Sequence, residues 1–479
     1  MAEMLVSVSL CVAASLIICI VHLVQKWRNP KCSTGRLPPG SMGLPLIGET
    51  LQFFSPHYSF DIPPFLKERI KRYGSLFKTN LVGRPVIVST DSEFNHYILQ
   101  QEGKLVELWY MDSFMKLLGD QVLTTSASLS IHKHLRNLVL SYFGPESLKK
   151  MVPEVAEMAR QTLHFWSTQE AIEVKKSTED MFFDFGSRKL FSFDLSNSTE
   201  NIIKNKFADF WEGLISFPLN IPGTTFYKCL KARENVLKML RNLIKERRNQ
   251  PKRIKGDFLD KLIEEMEKEG AFLTEEAIVQ LIFLLTFASF ETTSLTLTLA
   301  IKFLTDHPQV LMALTDEHEA ILRSRETADS AITWEEYKSM TFTSQVINEV
   351  LRLSNVAPGI FRRALTDIQV KGYTIPAGWT IMICPQTLHF DPSKYKDPLA
   401  YNPWRWEGCG ANTWSKNFNP FGGGMRLCAG ADFSKMLMEM FLHFLVTKYR
   451  WKRIKGGEIV GNPATSFPNG FHIQVSEKK

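Results

Sequence analysis

The sequence predicts a mainly α fold with a smaller β region, carried behind an N-terminal transmembrane anchor helix. Three observations predict it. Met4 to Val24 is a run of 21 residues without Asp, Glu, Lys or Arg, and ~20 such residues span a bilayer. Beyond it, most of the chain spaces its apolar residues with the period of a helix. Only two stretches read as strands. The chain has 479 residues, 44% apolar and 22% charged, which excludes a fibrous or wholly disordered protein. Charge spread along the chain excludes a polytopic membrane protein. Seven cysteines, an odd number, make no disulfide framework and predict free thiols in a reducing compartment. The net charge of +7 points to an anionic partner or surface without choosing among nucleic acid, membrane and acidic protein.

The elements follow in order. Glu3 precedes the apolar run, and Lys26, Arg28 and Lys31 follow it. A cleavable signal peptide carries its charge in front, with a shorter apolar core and a small-residue cleavage site. Residues 1–25 are therefore read as an uncleaved, single-pass anchor, with the rest of the protein on the cytosolic side by the positive-inside rule. Residues 26–50 form a hinge: Leu37-Pro38-Pro39-Gly40, then Gly43, Pro45 and Gly48, forbid a helix. Residues 51–479 form one body. Helices are expected over Ile62 to Tyr73, Glu154 to Trp166, Ala232 to Arg248 and Asp257 to Glu269. Hairpins are expected over Leu76 to Ser89, turning near Gly83 and Pro85, and over Gln369 to Pro385, turning at Pro376-Ala377-Gly378. Lys245 to Lys255 is basic but carries no interleaved aromatics, so it reads as a solvated helix end and not as a nucleic-acid site.

Thr274-Glu275-Glu276 opens a helix with an N-cap and acids in the first turn. The apolar pattern continues to Leu304, before Asp306-His307-Pro308 stops it. That length, ~45 Å at ~1.5 Å per residue, crosses a whole domain. A second membrane span is the rival reading, opposed by Gln280, Glu291 and Lys302. Outside a membrane, such a helix is buried nearly all round. A buried Glu291 costs several kcal/mol unless paired or hydrated. Thr292 and Thr293 follow it, and mid-helix hydroxyls bond carbonyls and bend helices locally. Acid plus alcohol is a candidate proton-delivery pair beside a ligand. A satisfied buried acid next to ordinary helix threonines is the plain alternative.

Phe421-Gly-Gly-Gly-Met-Arg-Leu-Cys428-Ala-Gly430 is the sharpest local signal. Its glycines let the backbone approach something closely. Cys428 precedes a strongly helical segment, where amide dipoles lower a thiol pKa. Arg426 adds a cation suited to carboxylate or phosphate. Three chemistries remain open on these residues: a nucleophile, a zinc ligand, or an axial thiolate on haem iron. Zinc fits poorly, since no second ligand lies at motif spacing; a nucleophile wants a His base that the sequence does not pair with it. Glu349 and Arg352 lie at i and i+3 on one helix face, and Arg405 in Pro403-Trp-Arg-Trp406 can close a buried network with them.

The order of these features, Ala288-Ser-Phe-Glu-Thr292, Glu349 to Arg352, Pro403 to Arg405 and the Cys428 loop, resembles the cytochrome P450 family across essentially the whole sequence. The resemblance implies a haem-thiolate monooxygenase domain over 51–479, with haem b held by Cys428 as the metal ligand, Glu291 and Thr292 delivering protons, and Glu349, Arg352 and Arg405 as a structural triad. It implies cofactor contacts at Arg426, Arg362, His132, Arg136 and Phe421. His132 stands where the family usually has Trp, and Ser289 where it has Gly or Ala; that hydroxyl either narrows the groove or joins the relay. Within the family the sequence looks like plant membrane-bound enzymes oxidising sterols and triterpenoids, on Leu44 to Thr50, Pro218 to Thr225 and Lys231-Ala-Arg233. The 34 Phe residues suit an apolar pocket for a lipophilic substrate. Its candidates are Trp109, Tyr110, Phe114, Phe217, Phe287, Ala288 and Phe361, with Phe210 and Trp211 nearby in sequence, although core packing explains any single one.

The resemblance further implies NADPH electrons from a separate reductase, since no dinucleotide or flavin fingerprint is present. Lys435, Lys448, Arg450 and Lys452 are candidates to meet an acidic reductase. The expected location is the endoplasmic reticulum membrane. Hydroxylation of a sterol or triterpenoid is the leading expectation. Carbon–carbon bond cleavage in a sterol side chain, by successive hydroxylations, is the alternative. A peroxide-rearranging enzyme is disfavoured by the Glu291-Thr292 pair, and a non-enzymatic haem-binding protein by that pair together with Cys428.

Overall fold

The computed structural model describes residues 2–28, 30, 32, 34–58, 60–119, 129–192, 219–249, 256–270, 273–327, 330–409 and 416–478. The apolar N-terminus forms α1 (Ala2–Arg28), and its later turns, from Leu16 to Leu23, stand exposed. The Pro/Gly segment is docked from Gly40 to Glu49. Gly40 and Gly48 bridge to Lys78 and Leu81, and Glu49 pairs with Arg69 at 2.7 Å. At Gly40, with φ of 145°, a Cβ would stand 2.0 Å from the Lys78 carbonyl oxygen, so only glycine allows this approach.

The helices continue as α2 (Thr50–Phe53), α3 (Pro64–Tyr73), α4 (Ser92–Leu99), α5 (Asp112–Leu118), α6 (Leu129–Phe143), α7 (Pro145–Ser167) and α8 (Val174–Phe191). Then come α9 (Thr225–Asn249), α10 (Phe258–Met266), α11 (Glu275–Asp306), α12 (Pro308–Arg323), α13 (Trp334–Ser339), α14 (Thr341–Leu353), α15 (Pro385–His389) and α16 (Ala431–Lys448). The expected helix from Glu154 begins nine residues earlier, because Pro145 sits in the first turn, where its missing N–H costs nothing. Thr274 caps α11 by accepting from the Ala277 N–H at 3.2 Å.

α11 lies inside the protein body. Phe290, Leu297, Leu299, Ala300 and Ile301 are all covered, and Gly186 of α8 faces Ser289 closely. Its length and apolarity would suit a membrane, yet protein packing accounts for both. The main core joins α7, α8, α11, α14 and α16, and two smaller clusters sit against the main sheet.

That sheet has strand order β1 (Leu76–Leu81), β2 (Arg84–Ser89), β8 (Thr380–Ile383), β5 (Ile360–Ala364) and β3 (Val106–Leu108). The second expected hairpin is corrected in register. Its turn is at Lys371-Gly372, both with positive φ, between β6 (Ile368–Val370) and β7 (Tyr373–Ile375). Pro376 to Gly378 instead leads into β8, which pairs parallel to β2. The structure also holds a sheet the sequence reading lacked, β4 (Ile172–Glu173), β12 (Phe471–Glu477) and β9 (Tyr449–Gly456), and a β10–β11 hairpin (Val460–Asn462, Ala464–Ser466). Its signal was present: Phe471, Ile473 and Val475 alternate and are buried.

Candidate active site

The Gly-rich loop is folded by its own backbone. The Cys428 N–H donates to the Phe421 carbonyl at 3.0 Å, Leu427 N–H to Gly424 at 3.1 Å and Gly422 N–H to Asn419 at 3.0 Å. At Gly424, with φ of 65°, a Cβ would meet the Leu99 carbonyl oxygen at 1.9 Å. The loop thus abuts the end of α4, and glycine is required there. It presents Cys428 to an internal cavity of about 620 Å³. The expected lowering of the thiol pKa is not the net outcome. The protein mass around the cavity pushes the Cys428 thiol up even though its side chain opens onto the cavity, while the Gly430 N–H and Arg136 pull it down and Asp432 pushes it up.

The facing wall is α11, which contributes Ala288, Ser289, Thr292, Thr293 and Thr296. Ala288 and Thr292 are open to the cavity, not covered by protein. The Thr292 hydroxyl donates to the Ala288 carbonyl at 3.3 Å, and the Thr296 hydroxyl donates to the Thr292 carbonyl at 2.8 Å. The helix is continuous through this point. Ser289 donates to the Thr286 carbonyl at 2.9 Å and faces Gly186, so its hydroxyl is engaged with backbone at the α8 side of the cavity.

Glu291 points elsewhere. Its carboxylate accepts from Lys175 Nζ of α8 at 2.9 Å, and Lys175 also binds Glu179. Burial pushes the Glu291 carboxyl up to about 7; Lys175 opposes this and Glu179 adds to it. Lys175 is held protonated, since the two carboxylates outweigh the effect of burial. Sequence reasoning gave no sign of Lys175, which lies 116 positions away.

A charged wall closes the cavity beside the Cys loop. Arg362 Nε pairs with Glu102 at 2.9 Å, and Arg426 Nε donates to Glu102 at 3.1 Å. Arg362, Arg426 and His132 line the cavity. Burial, then Arg426 and Arg136, push His132 down to about 4, so its ring is neutral at pH 7. Its Nδ1 is buried and without a hydrogen bond among the described residues. Arg136 donates to the Leu427 carbonyl and so also braces the Cys loop. Glu102 is the residue of this wall that sequence reasoning missed.

Behind the loop, the expected charge network assembles. Glu349 accepts from Arg352 at 2.9 Å through each oxygen and from Arg405 at 2.9 Å. Trp406 Nε1 and the Asn402 N–H each complete it at 3.0 Å. Arg352 spends its other donors on the His389 and Pro398 carbonyls at 2.7 and 2.6 Å. Both Glu349 and Arg352 are fully buried.

Of the expected pocket aromatics, Tyr110 lines the cavity, as Phe421 does. Trp109, Phe114 and Phe361 are one layer back. Phe114 stacks on Tyr110 at 5.3 Å, and Phe361 meets Trp109 and Tyr110 at 6.2 and 6.4 Å. Phe287 packs on Phe290 at 6.1 Å. The rest of the lining is mostly apolar, with Leu108, Leu284, Leu285, Ile360, Phe143 and Phe433, and Asn355, Gln386 and His389 add polar groups. Phe217, with Phe210 and Trp211, lies outside the described residues. Lys435 is not a surface cation: it is buried and donates to Asn348 at 3.2 Å. Lys448, Arg450 and Lys452 are exposed.

With this geometry in hand, the sequence profile of the Cytochrome P450 family matches residues 38–473. The protein belongs to the cytochrome P450 family. It is 52% identical to Cytochrome P450 87A3 of Oryza sativa subsp. japonica, over 95% of this chain and 88% of that protein. It is 47% identical to cucurbitadienol 11-hydroxylase of Siraitia grosvenorii, over 96% of this chain and 97% of that one. It is also 47% identical to beta-amyrin 16-alpha-hydroxylase of Maesa lanceolata, over 96% and 97%. A cyanobacterial P450, CYP120A1, solved with retinoic acid bound, superposes with a TM-score of 0.82 at 27% identity, covering 93% of this chain and 100% of that one. The protein is a P450 monooxygenase.

The family uses a haem-thiolate cofactor, and the residues of this P450 fit it. A thiol and two arginines that share one counter-ion surround a single cavity, which is the donor set for a metal-bearing, dianionic ligand. The neutral His132 adds a ring nitrogen without a partner among the described residues.

Proposed function

We propose that this P450 hydroxylates the skeleton or side chain of a triterpenoid or sterol, using NADPH electrons from a separate reductase. The observation that carries the reading is the cavity itself: mostly apolar walls of aliphatic and aromatic side chains, Cys428 on one side and the Thr292 hydroxyl on the other. Few polar anchors suit a large apolar polycycle. The relatives named for cucurbitadienol and beta-amyrin act on two such skeletons, which supports the class and leaves the carbon open.

When bound, the haem supplies dioxygen activation, its iron ligated by the Cys428 thiolate. The Gly430 N–H and Arg136 stabilise that thiolate. Arg362, Arg426 and His132 would hold the propionates and Phe421 would bound the ring system, while Arg136 secures the loop through Leu427. Thr292 presents a hydroxyl to the cavity and hands a proton inward. Glu291 faces away from the cavity, toward the Lys175–Glu179 cluster on the partly exposed side of α8; a carboxyl titrating near 7 both takes and gives a proton at cellular pH, which suits it to exchange protons on the far side of α11 from Cys428. The Glu349, Arg352 and Arg405 network holds the strands and loop behind Cys428 in place. Tyr110 and Ala288 bound the substrate space. α1 anchors the protein, residues 26–50 set how the body sits on the endoplasmic reticulum membrane, and Lys448, Arg450 and Lys452 face an acidic reductase.

Feeding triterpenes and sterols to cells that carry this protein with a reductase, and weighing the products, tests the reading. Oxygenated product is expected with wild type and none with Cys428→Ser, whose reduced carbon monoxide complex also loses the red-shifted Soret band. A wild type that shows that band yet oxidises no polycycle offered overturns the substrate class; an unchanged band in Cys428→Ser overturns the ligand.

A further inference from the structure

We propose that Glu102 is a positioning residue for the cofactor: one buried carboxylate that holds Arg362 and Arg426 at the cavity wall and sets the charge of that wall. The carboxylate is fully enclosed, its side chain 0% exposed. One oxygen lies 2.9 Å from Arg362 Nε. The other accepts from Arg426 Nε at 3.1 Å and from the Leu108 N–H at 2.9 Å. The two arginines come from distant elements, β5 and the Cys loop, and Glu102 is the group that joins them. Left without it, two guanidinium groups confined to one dry wall would repel each other and turn away.

The local sequence builds this placement. Glu102 follows α4, and the backbone then makes a tight loop in which the Gly103 N–H donates to the Val106 carbonyl at 2.7 Å. Gly103 has φ of 78°, which glycine tolerates. The loop returns as β3, paired with β5 at Leu108 and Arg362. Carboxylate, acceptor strand and arginine are therefore fixed together. Glu107, the residue before Leu108 on β3, makes a separate pair with Arg363, whose guanidinium is 45% exposed.

The charges give the consequence. Arg362 and Arg426 line the cavity, with Glu102 as the anion between them; His132 is neutral at pH 7, and Arg136 adds a third cation at the Cys loop. Cations therefore outnumber the one anion, which suits the two carboxylates of haem b. This inference rests on the haem-thiolate reading above. Removing the Glu102 charge leaves an unbalanced cation near the iron, which favours the reduced state, the one with an extra electron.

The test uses the full-length holoprotein. Glu102→Gln keeps shape and loses charge; Glu102→Ala loses both; Glu107→Gln is the control. The expected results are a midpoint potential shifted positive in Glu102→Gln, haem transfer to apomyoglobin about tenfold or more faster in Glu102→Ala, and Glu107→Gln like wild type in both. A Glu102→Gln potential equal to wild type, with unchanged haem transfer in Glu102→Ala, overturns the proposal. If Glu102→Ala does not accumulate, the Glu102→Gln potential alone decides. Wild type that binds no haem would instead overturn the reading beneath it, so the two failures are distinct.

Discussion

Glu349 and Glu291 are both buried glutamates on long helices, and each has a cation nitrogen 2.9 Å away. Their surroundings differ in how many donors converge. Glu349 receives Arg352 twice, Arg405, Trp406 and a backbone N–H, so its charge is met on both oxygens by fixed geometry. Glu291 receives one lysine, and it shares that lysine with Glu179. Five converging donors make a fixed clamp. One shared donor makes an acid that titrates near 7. Burial raises the Glu291 carboxyl, and a single shared donor does not offset it.

The largest break in that comparison comes from removing the clamp. Arg352→Ala leaves Glu349 buried with much of its compensation gone and orphans the His389 and Pro398 carbonyls. Breaking a buried pair in this way costs about 3–5 kcal/mol. Haem content per protein should fall to near zero, with a lower urea midpoint. Normal haem content would show that the network does not secure the Cys428 loop. Thr292→Ala is milder. It should leave the fold and haem intact while coupling of electron use to product falls about tenfold, with hydrogen peroxide released. That is less than the ~10²-fold a lost general acid can cost, because Thr293 and Thr296 keep hydroxyls on the same wall. Unchanged peroxide release would remove Thr292 from the relay.

How much of this was legible in the sequence follows the same division. The Cys428 loop, the Glu349–Arg352 pair and the Glu291-Thr292 pair are local patterns, and the structure brings the first two to one side of one core. The i,i+3 pair was readable because both partners share a helix face. Glu102 and Lys175 were not readable, since they meet Arg426 and Glu291 across 324 and 116 positions, and only the tertiary fold supplies that adjacency. The orientation of Glu291 was hidden for another reason. A helix pattern says that a residue is buried without saying whether it faces a cavity or a neighbouring helix. The C-terminal sheet was readable in principle from the alternation of Phe471, Ile473 and Val475. Lys435 was misplaced because a cation in a helical run reads as surface until its partner Asn348 is known.

The smallest expected effect is the most diagnostic of the Glu291 cluster. Its carboxyl is raised above the ordinary glutamate range, so it is protonated below about 7 and ionised above. Coupling of electron use to product should therefore fall as pH rises through about 7, and Glu291→Gln should flatten that profile. Two neighbours then move the midpoint in opposite senses. Lys175→Met removes the cation that opposes the upward shift, so the midpoint should rise. Glu179→Gln removes a negative charge that adds to the shift, so it should fall. Each change should be within about one pH unit, the shift that 1.36 kcal/mol produces. Coupling measured from about pH 6 to 9 in the three variants, a window that brackets the raised carboxyl and the ordinary histidine range, reads it directly. Midpoints that move together, or a profile that survives in Glu291→Gln, would place the titrating group elsewhere and leave Glu291 a buried acid paired with Lys175 for packing alone.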